Sequence, residues 1–171
     1  LQSTLEPDMV MTYFNMEHPL VGGYTAERTA LRRAIALGFD VDTHIRQTYG
    51  GQAIRAQSTI TPFTSGYDPA YKSEMGDFDP PRAKALLDVY GYVDRDGDGW
   101  REQPDGRPLV LRLAMQSSQQ DRVYAEIWKR SMDRIGLRLE FEISNWPDLL
   151  KRTRAGSLMM WGYSWLAGSP D

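Results

Sequence analysis

Two stretches of this 171-residue chain carry side chains able to hold a ligand or an ion. The first runs from Asp94 to Asp105. Carboxylates stand at its positions 1, 3, 5, 9 and 12, as Asp94, Asp96, Asp98, Glu102 and Asp105, and Gly99 is at position 6. Oxygen ligands at that spacing can wrap one hard cation, so the segment is a candidate structural calcium loop. The last position is Asp rather than Glu, and a strand rather than a second helix is expected after it; a glycine-rich turn with solvated acids has the same sequence. The second stretch is Gly162-Tyr163-Ser164-Trp165-Leu166, which follows the apolar run Leu158-Met159-Met160-Trp161. Large aromatics are costly to leave in water, so they plug a core or line a pocket. Trp161 is expected to fill the core and Trp165 to line a pocket. A third segment, Met115-Gln116-Ser117, offers an amide and a hydroxyl that hydrogen-bond without imposing charge.

Covalent chemistry finds little support. His18 and His44 are the only histidines and there is no cysteine. No Gly-x-Ser-x-Gly elbow, phosphate loop or His-Glu-x-x-His motif occurs, so the chain does not read as an enzyme. The formal charge of −3 gives no basic surface for phosphates, which argues against nucleic acid as a partner. Hydrophobic residues at 41% and charged residues at 25% are ordinary for a globular domain.

The elements that must position these groups are legible in outline. Met9–Asn15 reads as a strand. A helix is expected over Ala26–Leu37, capped by Thr25, with Leu31, Ala34, Ile35 and Gly38 on its packing side and Arg28, Arg32 and Arg33 solvated. A short helix over Thr43–Tyr49 has Asp42 as its cap and ends at Gly50-Gly51. Residues 52–78 have no steady period and read as a long ordered loop. Asp79-Pro80-Pro81 then opens a helix that Gly91 stops. The C-terminal third reads strand (Leu109–Ala114), helix (Asp121–Arg134), strand (Leu137–Ile143), short helix (Pro147–Arg154) and strand (Ser157–Tyr163). That β-α-β-α-β order predicts parallel strands. The fold class is therefore α/β, a mixed, mainly parallel sheet with helices on both faces. In such sheets ligands sit off the carboxyl ends of the strands. Those ends feed Met115–Gln119, Ser144-Asn145-Trp146 and Tyr163–Leu166, which suit an organic ligand better than a phosphate or a bare metal ion.

Several stretches, taken in order, resemble one family. Tyr13-Phe14-Asn15 followed by Arg32-Arg33-Ala34-Ile35-Ala36-Leu37-Gly38-Phe39-Asp40 is similar to its strand-then-helix signature. Tyr49-Gly50-Gly51-Gln52-Ala53 through Pro62, Phe78-Asp79-Pro80 with Ala83–Leu87 and Gly91-Tyr92, Trp128–Gly136, and Trp161-Gly162-Tyr163 through Pro170-Asp171 follow in sequence. The family is the peptide/nickel-type extracellular solute-binding proteins, family 5, of ABC importers. The resemblance implies one lobe of a two-lobe, type II periplasmic-binding-protein fold. Residues 1–171 would form a single lobe, most of the C-terminal ligand-binding lobe, and the stop at Asp171 in mid-loop fits a piece of a longer protein. It implies capture of a small organic solute, such as a peptide, an opine-like compound or a sugar, for delivery to ABC permease subunits. No cofactor is required, and the location is periplasmic or extracytoplasmic. The ligand residues would be Gly162, Tyr163, Ser164, Trp165 and Leu166, with Met115, Gln116 and Ser117. In peptide-binding relatives a carboxylate in this loop pairs with the ligand's amino terminus. Leu166 stands at that place, which implies a ligand without an ammonium anchor there. The competing expectation is a calcium-stabilised protein-interaction module.

Overall fold

The computed structural model describes residues 7–74 and 76–166. The sheet has four strands in the order β1-β4-β2-β3. Strand β1 is Asp8–Phe14, β2 is Val110–Met115, β3 is Arg138–Ile143 and β4 is Met160–Leu166. β2 runs parallel to both β3 and β4, while β1 pairs antiparallel with β4. The mixed, mainly parallel sheet expected from the sequence is therefore present.

Among the described residues, five helices lie between these strands: α1 (Ala26–Gly38), α2 (Val41–Tyr49), α3 (Pro80–Val89), α4 (Gln119–Arg134) and α5 (Trp146–Arg154). Their starts follow from short polar side chains that accept a backbone N–H of the first turn. Thr25 caps α1, Asp79 caps α3 and Asn145 caps α5. Two caps differ from expectation, and α5 starts one residue early, at Trp146. Asp40, not Asp42, caps α2, because its carboxylate accepts the Thr43 N–H at 2.9 Å. Ser118 caps α4 through a reciprocal box with Asp121, so that helix starts two residues early, at Gln119.

Two arginines expected to be solvated are engaged with backbone. Arg28 donates to the Gly22 carbonyl at 3.0 Å, and Arg32 donates to the carbonyls of Val21 and Gly23 at 2.6 and 2.9 Å. They lock the turn that leads from β1 into α1. Arg33 instead forms a bidentate pair with Glu74, which also meets Arg82. Together with the Arg55–Asp42 pair, this pins the long segment between α2 and α3 to the helices. The segment is ordered by ion pairs rather than by a core, which is why it shows no hydrophobic period.

Side chains alternate across the pleat, so each strand feeds two faces. Leu111, Leu113, Leu139 and Met160 share one core with Leu31 and Ile35 of α1 and Trp128, Met132 and Ile135 at α4. Ala114 and Trp161 point the other way and join Leu149 of α5 and Leu158 in a smaller cluster. Helices thus cover both faces, as expected. Ile143 is in the sheet, as the last residue of the edge strand β3, and is 64% exposed there.

Candidate functional site at the carboxyl ends of the parallel strands

The three parallel strands point their carboxyl ends to one side, and β1 begins there, since Asp8 lies opposite Leu166. Residues 163–166, expected as a loop, are the second half of β4. The reason is β1: it gives every residue from Met160 to Leu166 an antiparallel partner, which no local signal announces. The side chain of Leu166 and residues Ala167–Asp171 lie outside the described residues, including the expected Pro170-Asp171 end of the loop.

Alternation along β4 separates the nominated residues. Gly162 and Ser164 share the α4 face, while Trp161, Tyr163 and Trp165 share the α5 face. Gly162 sits under Tyr124: a Cβ there would lie 3.3 Å from the Tyr124 hydroxyl. That hydroxyl is 2.8 Å from Thr12 Oγ1 on β1, and burial pushes the phenol pKa up. The missing side chain at Gly162 leaves room for this internal hydrogen bond. His44 packs edge-on against Tyr49 and at a tilt on Tyr124, with centroids 5.4 and 5.0 Å apart. Its Nδ1 meets Thr48 Oγ1 at 3.1 Å, its Nε2 is buried without a partner among the described residues, and burial lowers its pKa. His44 is a buried packing residue.

Trp161 is 4% exposed and fills the core, as expected, whereas Trp165 is 63% exposed. Tyr163 lies between them, with centroids 5.7 Å from Trp161 and 6.2 Å from Trp165. The Met115 side chain is buried, whereas Gln116 and Ser117 are exposed. Ser118 and Asp121 immediately afterward are committed to capping α4. The rim thus offers uncharged hydrogen-bonding groups on β2 and aromatic surface on β4.

One rim residue was not nominated from sequence. Trp146, the first residue of α5, stacks on Tyr163 at an interplanar angle of 15° and a centroid distance of 6.2 Å. The signal was available: Asn145 caps the helix and Pro147 follows, which fixes Trp146 at the first helical position directly after β3.

The acidic turn lies away from these strand ends. Carboxylate oxygens of Asp94, Asp96, Asp98 and Glu102 fall within 4.8 Å of one another. Asp105 is not among them; its carboxylate pairs with Arg107, and hydrogen bonds from the Arg107 backbone and side chain lower its pKa. The other acids already brace the turn. Asp94 accepts the N–H groups of Gly97 and Gly99 at 2.7 and 2.9 Å, Asp98 accepts that of Trp100 at 2.8 Å, and Glu102 accepts that of Arg95 at 2.7 Å. Arg138 pairs with Asp98 at 3.0 Å. Backbone N–H groups and a guanidinium thus supply much of the positive charge a cation would bring.

The parallel strands of the α/β sheet thus carry exposed Gln116, Ser117 and Trp165 at or just past their carboxyl ends. Residues 2–171 match the bacterial extracellular solute-binding proteins, family 5 Middle, and the chain belongs to that family. Its members are solute-binding proteins, not enzymes. The chain is 34% identical over 146 residues to di/tripeptide-binding protein 2 of Pseudomonas aeruginosa, spanning 82% of this chain and 25% of that protein. It is also 34% identical over 116 residues to the oligopeptide-binding protein OppA of Mycobacterium bovis, spanning 66% of this chain and 19% of that one. The fold matches that of the oligopeptide-binding protein AppA of Bacillus subtilis, solved with a nonapeptide, at a TM-score of 0.83 and 18% identity, covering 95% of this chain and 32% of AppA. The chain thus spans about a quarter of the first of these relatives. A calcium-stabilised interaction module finds no support among them.

Proposed function

We propose that this chain is most of one ligand-binding lobe of a longer, extracytoplasmic solute-binding protein. The whole protein captures a peptide or peptide-like solute and hands it to ABC permease subunits. The observation that supports this best is the rim itself: exposed Gln116 and Ser117 at the end of β2, and exposed Trp165 at the end of β4. Both chemistries face the place where α/β sheets hold ligands, and neither demands a charge. The relatives named above bind di-, tri- or oligopeptides according to their names. Family membership supports an extracytoplasmic location.

The physical logic is lobe closure. A ligand seated on this rim is half-solvated until a second lobe covers it, and closure is favoured by the contacts made only in the closed state. The isolated lobe should therefore bind weakly. Leu166 in place of a carboxylate favours ligands whose amino terminus is not anchored at this point, because a buried ammonium without a counter-charge is strongly disfavoured. The family needs no cofactor in general, and the acidic turn acts as a self-braced structural turn whose cation binding is weak.

Mass spectrometry of solutes co-purifying with the full-length protein, followed by titration, tests the reading. Peptides recovered and rebound, with N-acetylation tolerated, are the expected result. No peptide bound at all would refute capture, and loss of binding on N-acetylation would refute the role given to Leu166.

A further inference from the structure

We propose that Trp146, Tyr163 and Trp165 form a subsite that selects peptides carrying an aromatic side chain at one position, an inference that rests on the peptide-capture reading above. β4 last pairs with β2 where Trp161 meets Ala114. Tyr163 and Trp165 stand two and four residues farther on, about 7 and 13 Å past that point at the usual rise per residue. β2 ends at Met115, so its strand does not continue alongside them. Trp146 reaches over from the end of β3 and lies flat against Tyr163, 15° from parallel. Trp165 is inclined to Tyr163 by 53°.

The result is a corner of two nearly parallel aromatic planes with a third inclined to them. Trp146 is 42% exposed and Trp165 63% exposed, so the corner is open. Its floor is apolar: Met9 and Met11 of β1 lie directly across from Trp165 and Tyr163, and Trp161 is buried beside Trp146 at a centroid distance of 5.5 Å. No charged side chain belongs to these positions. A ring entering the corner can stack offset on one plane and meet another by its edge, the two arrangements that aromatic quadrupoles favour. An aliphatic chain of equal size gains the burial but not this geometry. Exposed Gln116 and Ser117, just past the end of β2, lie at the same end of the sheet, so a peptide lying across the strand ends can place one side chain in the corner.

The test uses the full-length protein and calorimetric titration with trialanine. Each alanine is replaced in turn by phenylalanine, by cyclohexylalanine and by aspartate. At one position phenylalanine should tighten binding about tenfold over alanine, equivalent to about 1.4 kcal/mol. Cyclohexylalanine should fall clearly short of it, and aspartate should weaken binding. The phenylalanine-to-alanine ratio should collapse toward one in Trp165→Ala and in Trp146→Leu. Trp165 is mostly exposed, so the first variant should fold even if the second, which packs on Trp161, does not. Equal affinity for phenylalanine and alanine at every position, with trialanine still bound, would overturn the subsite and leave peptide capture standing. Equal affinity for phenylalanine and cyclohexylalanine would overturn aromatic selection. Failure of every tripeptide to bind would remove the capture reading and this inference together.

Discussion

On the α1–α4 side of the sheet, Leu31, Ile35, Leu111, Leu113, Met132 and Ile135 are fully buried against one another. On the α5 side, only Ala114, Leu149, Leu158 and Trp161 form a buried cluster, and the aromatics beside it become more exposed toward the strand ends. The same strands feed both faces, so the difference lies in what covers them. Two long helices with periodic apolar stripes seal the first face. One nine-residue helix, α5, packs on the second through Leu149. The sealed face holds the fold together, and the partly covered face leaves apolar surface free for a ligand. The division gives a testable rule: substitutions on the sealed face should act on stability, and those on the open rim on binding.

The largest expected effect is Leu113→Ala. A fully buried leucine in a close-packed core costs about 2–5 kcal/mol on truncation. Leu149→Ala, equally buried but in the small cluster, should fall at the lower end, since the neighbouring surface can relax. Denaturant unfolding of the 171-residue chain measures both. A cost for Leu149→Ala equal to or above that for Leu113→Ala would break the comparison.

Next in size is the acid response of the sealed side. Burial lowers the pKa of His44 below its ordinary 6.5. From about pH 6.5 down to the lowered value, the unfolded chain binds a proton that the folded chain refuses. Stability is thus fully present above pH 6.5 and declines as pH falls through that window, by at most about 1.4 kcal/mol per pH unit for one proton. His18 adds a second contribution of the same sign, because burial and the nearby Arg112 and Arg28 lower its pKa too. His44→Phe should flatten the His44 share in a series of melting curves from pH 7.5 to 5. An unchanged slope would show that His44 is not held neutral by its aromatic surroundings.

Smaller still is Trp165→Ala, which should change stability by less than about 0.5 kcal/mol, because the ring is mostly exposed. A loss above about 2 kcal/mol would place Trp165 in the core and erase the open rim. The smallest effect concerns the acidic turn. With its carboxylates already engaged by backbone N–H groups, millimolar calcium should raise the melting temperature by less than about 2 °C. A rise of about 5 °C or more would restore a structural ion.

How much of this was readable in the sequence depends on how local the signal is. Leu137-Arg138-Leu139-Glu140-Phe141-Glu142-Ile143 alternates so regularly that its strand could be read directly. Asp79-Pro80-Pro81 gave the start of α3 just as plainly. The Ser118–Asp121 box is equally local, and it starts α4 at Gln119 rather than at the expected Asp121. The extension of β4 through Leu166 was not readable, because it depends on β1, more than a hundred residues earlier. The same long-range pairing places Gly162 under Tyr124 and beside Thr12, a packing role that no local signal announces. Trp146 was seen as part of a strand-end loop, but its stacking on Tyr163 requires the crossing of β2 by a side chain from β3's end. Spacing alone grouped Asp105 with the acidic turn, whereas Arg107, two residues away, holds its carboxylate.

The central claim is that the strand-end rim is the ligand surface. Hydrogen-exchange mass spectrometry on the full-length protein, with and without the solute recovered from it, addresses this directly. Slowed exchange on ligand addition is predicted at residues 115–119, 144–146 and 162–166, with no change over 94–105. Protection confined to 94–105, or to the α1–α3 side with the rim unchanged, would contradict it.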